Sequence, residues 1–200
     1  MWKRVSYFIV MALVSSVLLS GCSQSDDKSA TSDWKPSQEV IVINGHTLPP
    51  EPNPAINNST LFGVDSNDNE VRDDVEIWIY KKYKDKHPIH IDIAMQAGRA
   101  WQKVLEDPTR AKEIHSFVSA SSSCEAYYEV CIKSDNKQYI SEWINTKYFR
   151  KKIYFNTPAR LEAYNVYDTL LSGGVYTIPR CSEKQQLCDF NTSKYESDND

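Results

Sequence analysis

The stretch GVDSNDNEVRDDVEIWIYKKY, residues 63–83, places a strongly acidic loop directly before an apolar helical pattern. Residues 65–76 carry six carboxylates against one basic residue, Arg72, a net charge of about −5 in twelve positions. Either Asp73 or Asp74 can cap a helix that runs through Lys84. The apolar residues of that helix share one face at 3.6-residue spacing: Val75, Trp78, Ile79 and Tyr83. The loop before it needs a compensating charge or a solvated surface.

Counted from Asp65, the loop has oxygen-bearing groups at the ligand positions of a twelve-residue calcium loop. Positions 1, 3, 5, 7, 9 and 12 are Asp65, Asn67, Asn69, Val71 through its carbonyl, Asp73 and Glu76. Calcium prefers carboxylate, amide and carbonyl oxygens, and its charge would relieve the repulsion. The sequence therefore predicts one structural calcium site. The alternative is an acidic turn in which Asp73 caps the helix and the other carboxylates are solvated.

This loop resembles the EF-hand-like loops of dockerins and thrombospondin type 3 repeats. It departs from their pattern at position 6, usually glycine because the backbone there has a positive φ, and at position 8, usually aliphatic. These positions are Glu70 and Arg72. A non-glycine residue at positive φ costs roughly 1–2 kcal/mol, so we expect a modest Kd of about 10⁻⁴–10⁻³ M. Arg72 also argues against pairing with a second EF-hand loop.

The N-terminus has the pattern of an export signal. Lys3 and Arg4 precede an apolar run, residues 5–19, and small residues follow it. The run is short for a membrane span. Its end, LLSGC, resembles the lipobox of bacterial lipoproteins, which implies cleavage after residue 21 and lipidation of Cys22. The alternative is ordinary cleavage that leaves a free thiol.

The resemblance also implies a location and a membrane partner. Ser23 after the lipidated cysteine implies delivery to the outer membrane, so we expect a lipid-anchored protein of the bacterial cell envelope that faces the periplasm. The layout from LPPEPNP to the acidic loop likewise resembles uncharacterised bacterial envelope proteins. Removal of Lys3 and Arg4 from the 23 basic residues leaves 21 against 27 acidic ones, a net charge of about −6. This charge argues against nucleic acid as a partner.

Four cysteines remain after Cys22, and an even number in an exported chain indicates two disulfides. They are Cys124, Cys131, Cys181 and Cys188. If residues 124–131 are helical, the first two lie roughly 10 Å apart along the axis, beyond the reach of a disulfide. An antiparallel arrangement then favours Cys124–Cys188 and Cys131–Cys181. Local 124–131 and 181–188 bridges remain open if that segment is not helical.

Composition and helical periodicity predict a mainly α fold: a small helical bundle with an extended N-terminal arm on a lipid-anchored linker. We expect a flexible tether and arm over 22–55, with a turn at Asn44-Gly45, and a helical domain over 56–190 that contains the loop 65–76. The acidic end, 191–200, is expected to be a disordered tail. Helices are predicted over 73–84 and 89–105, after Asp107-Pro108, around 139–148, and from Thr157-Pro158 to Gly173-Gly174.

Other candidate sites are weaker. His87, His90 and Asp92 have zinc-compatible side chains but no fourth ligand, and His46 and His115 stand alone. The stretch KYFRKKIYF, residues 147–155, could touch anionic lipids or glycans, or be a solvated helix end.

No recognised catalytic motif is present, so we expect a binding or structural module rather than an enzyme, with an envelope protein or glycan as its partner. The alternatives are an envelope hydrolase with a site assembled from distant residues, and an inhibitor or immunity-type protein.

Overall fold

Helices account for most of the chain. The computed structural model describes residues 39–131, 148–174 and 176–195; 65% of them are helical and 3% lie in strands, so the predicted mainly α fold is confirmed. The predicted signal peptide, Cys22, the tether up to residue 38 and most of the helix expected around 139–148 lie outside the described residues. Within the described ranges, no helix is both long enough and apolar enough to cross a bilayer.

The arm begins with a small hairpin and ends at a helix cap. Strand β1, Val42–Ile43, pairs antiparallel with β2, His46–Thr47. The predicted turn joins them, with φ of 52° at Asn44 and 77° at Gly45, as a two-residue hairpin turn requires. The Asn53 side chain then accepts hydrogen bonds from the first turn of α1, Pro54–Ser59. This cap starts the helical region two residues before the expected boundary at 56.

The bundle is built on helices α2, Asp73–Tyr83, and α3, Ile89–Glu106, close to their predicted bounds. A short 3₁₀ turn, Pro108–Arg110, leads into α4, Ala111–Ala126. The Asp107 carboxylate accepts the Thr109 N–H and starts this turn as predicted. A π-helical turn, Tyr127–Cys131, follows α4, and another, Phe149–Tyr154, precedes the last long helix.

That last long helix, α5, covers Pro158–Leu171. The Thr157 hydroxyl accepts the Arg160 N–H, 3.2 Å away, and so caps the helix. The chain leaves the helix through Ser172 and Gly173, the latter at φ 80°, as the predicted glycine stop requires. Helix α3 packs against α2, α4 and α5 and therefore lies at the centre of the bundle. The fully buried core includes Ile89 and Val104 of α3 itself and, from other segments, Val71, Val75, Ile79 and Tyr154.

Two disulfides attach the C-terminal segment to α4 and the turn after it. They join Cys124 to Cys188 and Cys131 to Cys181, the antiparallel pairing favoured from the sequence. Because the chain from α4 through the π-helical turn stays helical, the local pairing does not form. The C-terminal segment itself consists of a short helix α6, Cys181–Lys184, and a 3₁₀ turn, Gln185–Leu187.

The ordered C-terminus extends further than predicted. Residues 192–195 form a 3₁₀ turn, and Tyr195 is buried, with its hydroxyl 2.6 Å from Asp92 Oδ2. Lys194 also approaches Asp92. The prediction that the disordered tail starts at 191 therefore places its start too early, because an aromatic side chain of this segment packs against α3. Residues 196–200 lie outside the described part of the chain.

Candidate metal centre

The acidic loop connects α1 to α2 and has the backbone conformation of a tight coil. The Asp73 N–H donates to the Val64 carbonyl, 2.8 Å away, and closes the loop at its base. Asp68 and Glu70 both have positive φ, 54° and 65°. Glu70 is position 6, so the backbone adopts the conformation that calcium loops require there even though the residue is not glycine.

Position 1 organises the middle of the loop. The Asp65 carboxylate accepts the N–H of Asn69 at 3.2 Å through Oδ1 and that of Glu70 at 2.9 Å through Oδ2. The Asn69 side-chain oxygen in turn accepts the Val71 N–H at 2.9 Å. These bonds link positions 1, 5, 6 and 7 to one another.

Position 12 is fully buried. The Glu76 side chain is 0% exposed, and its Oε2 accepts from Asn67 Nδ2 at 3.1 Å and from Asn69 Nδ2 at 2.7 Å. Its Oε1 lies 2.6 Å from His46 Nε2 in the arm. The prediction that His46 stands alone is therefore wrong. The hairpin places it against Glu76, which is 30 residues further along the chain, and its ring also stacks on Tyr80.

Position 9 does not act as a helix cap. The N-cap of α2 is Arg72, without a side-chain cap bond. Asp73 Oδ1 instead accepts the Ser66 N–H at 2.9 Å, and Asp73 Oδ2 is buried with no hydrogen-bond partner. The prediction that Asp73 or Asp74 caps α2 is therefore wrong, because the Asp73 carboxylate accepts from the Ser66 N–H and Asp74 forms an ion pair with Arg72.

Burial raises the pKa of Asp73 above its ordinary value of 3.8. The hydrogen bonds with Ser66 oppose this shift, whereas the nearby carboxylates Asp65 and Glu76 raise the pKa further. Asp73 is therefore close enough to Asp65 and to Glu76 to be repelled by both, and a nearby cation would favour its charged form.

As it stands, the loop is arranged by its own hydrogen bonds. Among the described residues, no group of three or more His, Cys, Asp or Glu side chains is placed to hold a metal ion. Asn67 and Asn69 present their amide nitrogens to Glu76, and a half-turn of each amide would present the oxygen. For Asn69 this turn would give up the bond from the Val71 N–H. The loop therefore carries oxygens of the kind that calcium prefers, but in the described conformation its acidic side chains do not form a metal-holding group.

Position 8 connects the loop to the π-helical turn before α5. Arg72 is 1% exposed, although its charge alone suggests a surface residue. It donates to the Tyr154 and Ile153 carbonyls, at 3.1 and 3.0 Å, and forms an ion pair with Asp74. The residue at position 8 of such loops normally packs against the rest of the fold. This tendency was the only sequence feature that indicated the burial of Arg72.

A second buried arginine was not anticipated at all. Arg160 of α5 is 0% exposed and bonds to the segment 57–61 before the loop. Asn156 Oδ1 lies between the two guanidinium groups, 2.7 Å from Arg160 Nη1 and 3.4 Å from Arg72 Nη2. Burial, with Arg72 nearby, lowers the pKa of Arg160 to about 10, so it remains a cation at neutral pH.

The weak zinc candidate is not assembled within the described residues. His87 Nδ1 accepts the Ile89 N–H, His90 is buried and stacks on Tyr83, and Asp92 is engaged by Tyr195 and Lys194. In the basic stretch, Phe149 and Tyr154 are buried, whereas Lys151 and Lys152 are exposed.

Comparison of the chain with models of protein families, with curated proteins and with solved structures finds no match.

Proposed function

We propose that the chain is a lipid-anchored envelope protein in which one calcium ion fixes the N-terminal arm and the acidic loop to the helical bundle. The observation that supports it most is Asp73, whose Oδ2 is buried without a partner beside the carboxylates of Asp65 and Glu76. A buried carboxylate oxygen without a donor is unfavourable unless a cation or a proton compensates it. The helix-cap alternative does not account for this oxygen, because Asp73 does not cap α2.

The proposed ligands are those of the loop: the carboxylates of Asp65, Asp73 and Glu76, the amide oxygens of Asn67 and Asn69, and the Val71 carbonyl. His46 would act outside this set. Its contact with Glu76 Oε1 connects the hairpin to position 12, so the order of the loop and that of the arm depend on each other. In this proposal the ion is structural, and the domain that it stabilises is a binding or structural module.

Thermal unfolding of a soluble form, residues 23–200, tests the calcium site. Every described contact lies within residues 39–195, so this form retains the bundle. We expect a higher midpoint in 10 mM calcium than in EDTA at equal ionic strength. If the Kd is about 10⁻⁴ M, this concentration is a hundredfold excess, worth about 2.7 kcal/mol.

A matched pair of double variants distinguishes a site from general charge screening. Asp65→Asn with Glu76→Gln removes two charges from the ligand set and should abolish the calcium response. Asp68→Asn with Asp85→Asn removes two charges from exposed positions outside that set and should preserve it. If calcium raised both midpoints equally, or neither protein responded, the loop would be only an acidic turn.

The lipid anchor is tested separately by growth with labelled palmitate. We expect the full chain to carry the label and the Cys22→Ser variant to lack it, because the thiol is the attachment point that the LLSGC motif implies. Label on both proteins or on neither would reject the lipidation and leave the calcium proposal standing.

A further inference from the structure

A cleft of about 480 Å³ opens between α3, α4 and the C-terminal segment held by the Cys124–Cys188 disulfide. Its volume is within the range of small-molecule sites. Phe117, 51% exposed, and Leu187 contribute apolar walls, and Gln96, Arg99 and Lys103 contribute polar groups. No sequence motif indicates this site, because its walls come from segments about 90 residues apart.

Gln96 supplies a hydrogen-bond acceptor that the fold leaves unsatisfied. The side chain is 4% exposed, and its Nε2 donates to the Leu187 carbonyl at 2.7 Å. That bond identifies the nitrogen end of the amide, since a carbonyl accepts only from a donor. The other end, Oε1, is buried with no hydrogen-bond partner. A buried acceptor of this kind is unfavourable until a donor reaches it, so this wall favours a ligand with an N–H group.

The two cations of the cleft differ in their availability. Arg99 is engaged by both oxygens of Asp189, at 2.9 and 2.7 Å. Lys103 Nζ lies 3.7 Å from Glu70 Oε2, longer than a hydrogen bond, and 5.3 Å from the centre of the Phe117 ring. An ammonium has three donors, so Lys103 can bind an anionic group that enters beside Phe117.

We propose that this cleft binds a short peptide with an apolar side chain and a free carboxylate. The carboxylate binds Lys103, the apolar side chain packs against Phe117 and Leu187, and a peptide N–H donates to Gln96 Oε1. A fatty acid matches the first two features only, because an ionised carboxylate has no donor for Gln96. The inference does not depend on calcium, although Glu70 belongs to the acidic loop.

Calorimetric titration of the form 23–200 with Ala-Ala-Leu, Ala-Ala-Phe and Ala-Ala-Val, each with a free carboxylate, tests the proposal. We expect at least one to bind, and its C-terminal amide to bind at least tenfold more weakly. Lys103→Met and Phe117→Ala should each weaken binding at least tenfold and leave thermal unfolding nearly unchanged. Lys152→Met makes the same charge change at an exposed position outside the cleft and should bind as the parent does.

The titrations are run in calcium and in EDTA, so that failure of the calcium site is not mistaken for failure of the cleft. The proposal is overturned if no tripeptide binds in either condition, if Lys103→Met binds the free acid as tightly as the parent, or if laurate binds and the tripeptides do not. The last result would assign the cleft to acyl chains.

Discussion

The substitution Arg160→Met tests whether the buried arginine of α5 holds the acidic loop to the bundle. The guanidinium is 0% exposed and donates to oxygens of the segment before the loop and of the turn before α5. Its partners are the carbonyls of Leu61, Thr60 and Asn57 and the side-chain oxygens of Asn58 and Asn156. Methionine has a similar length, so the substitution removes the donors and the charge and leaves most of the packing.

The expected loss follows from the oxygens left without a donor. Three of them are backbone carbonyls. The bond to the Asn57 carbonyl is buried, and those to Leu61 and Thr60 are partly buried; a buried group left unsatisfied costs about 1–3 kcal/mol. Two effects offset part of this cost. The variant no longer buries a desolvated charge, and water can enter and bind the oxygens that have lost their donor. We therefore expect a net destabilisation of about 1–3 kcal/mol, the cost of one buried group left without its partner. Domains of this size are stable by only about 5–15 kcal/mol.

Equilibrium unfolding in urea, followed by circular dichroism, measures this loss. Arg110→Met is the matched control, because Arg110 is exposed and its contact is an ion pair with Glu113 on the surface; we expect no resolvable change there. Arg160→Lys should recover only part of the stability, since an ammonium cannot reproduce the planar fork of donors. If Arg160→Met unfolded at the same urea concentration as Arg110→Met, the assigned role of the buried network would be wrong.

Three further substitutions should change stability for separate reasons. Gly63→Ala places a Cβ at a position with φ 73°, in steric conflict with the buried side chain of Arg72. We therefore expect the free energy of unfolding in urea to fall by about 2–5 kcal/mol. In the control Gly45→Ala, with φ 77° and open space around the Cβ, only the backbone strain should lower the stability. Gly98→Ala brings a Cβ within 3.1 Å of Val71 Cγ1. The cost of overpacking should exceed the gain of about 1 kcal/mol from helix propensity, so we expect a net loss of stability. Because Val71 is loop position 7, we also expect weaker calcium binding in titration. Thr157→Ala removes the cap of α5 and should cost about 1 kcal/mol, whereas Thr157→Ser should match the parent.

Two of the helical starts were predictable because their signals are local. Asp107 with Pro108 and Thr157 with Pro158 combine a capping side chain with a residue suited to the first turn, and the structure begins its elements there. Asn44-Gly45 likewise determines a turn through two residues alone. For the disulfides, the helical distance between two cysteines argued against local bridges, and an assumed antiparallel arrangement favoured the pairing that the structure shows.

The contacts that organise the candidate metal centre were not predictable in the same way. Arg72 reaches carbonyls 81 and 82 residues away, and Arg160 reaches carbonyls about 100 residues away. Backbone carbonyls are present at every position, so the sequence carries no complementary charge that would reveal such partners. His46 and Glu76 are residue types that can form a hydrogen bond, but only the hairpin geometry brings them together. The apparent surface charge of both arginines was therefore misleading.

The departures of the loop from the common calcium-loop pattern have different physical consequences. Glu70 at position 6 keeps the positive φ at an energetic cost and directs its carboxylate outward to Lys103. Arg72 at position 8 replaces an aliphatic contact with hydrogen bonds to the turn before α5. In a pair of EF-hand loops, the second loop supports position 8 of the first. Here the helical bundle contacts position 8 instead. Order in the acidic loop and the position of α5 are therefore coupled through Arg72 as well as through Arg160.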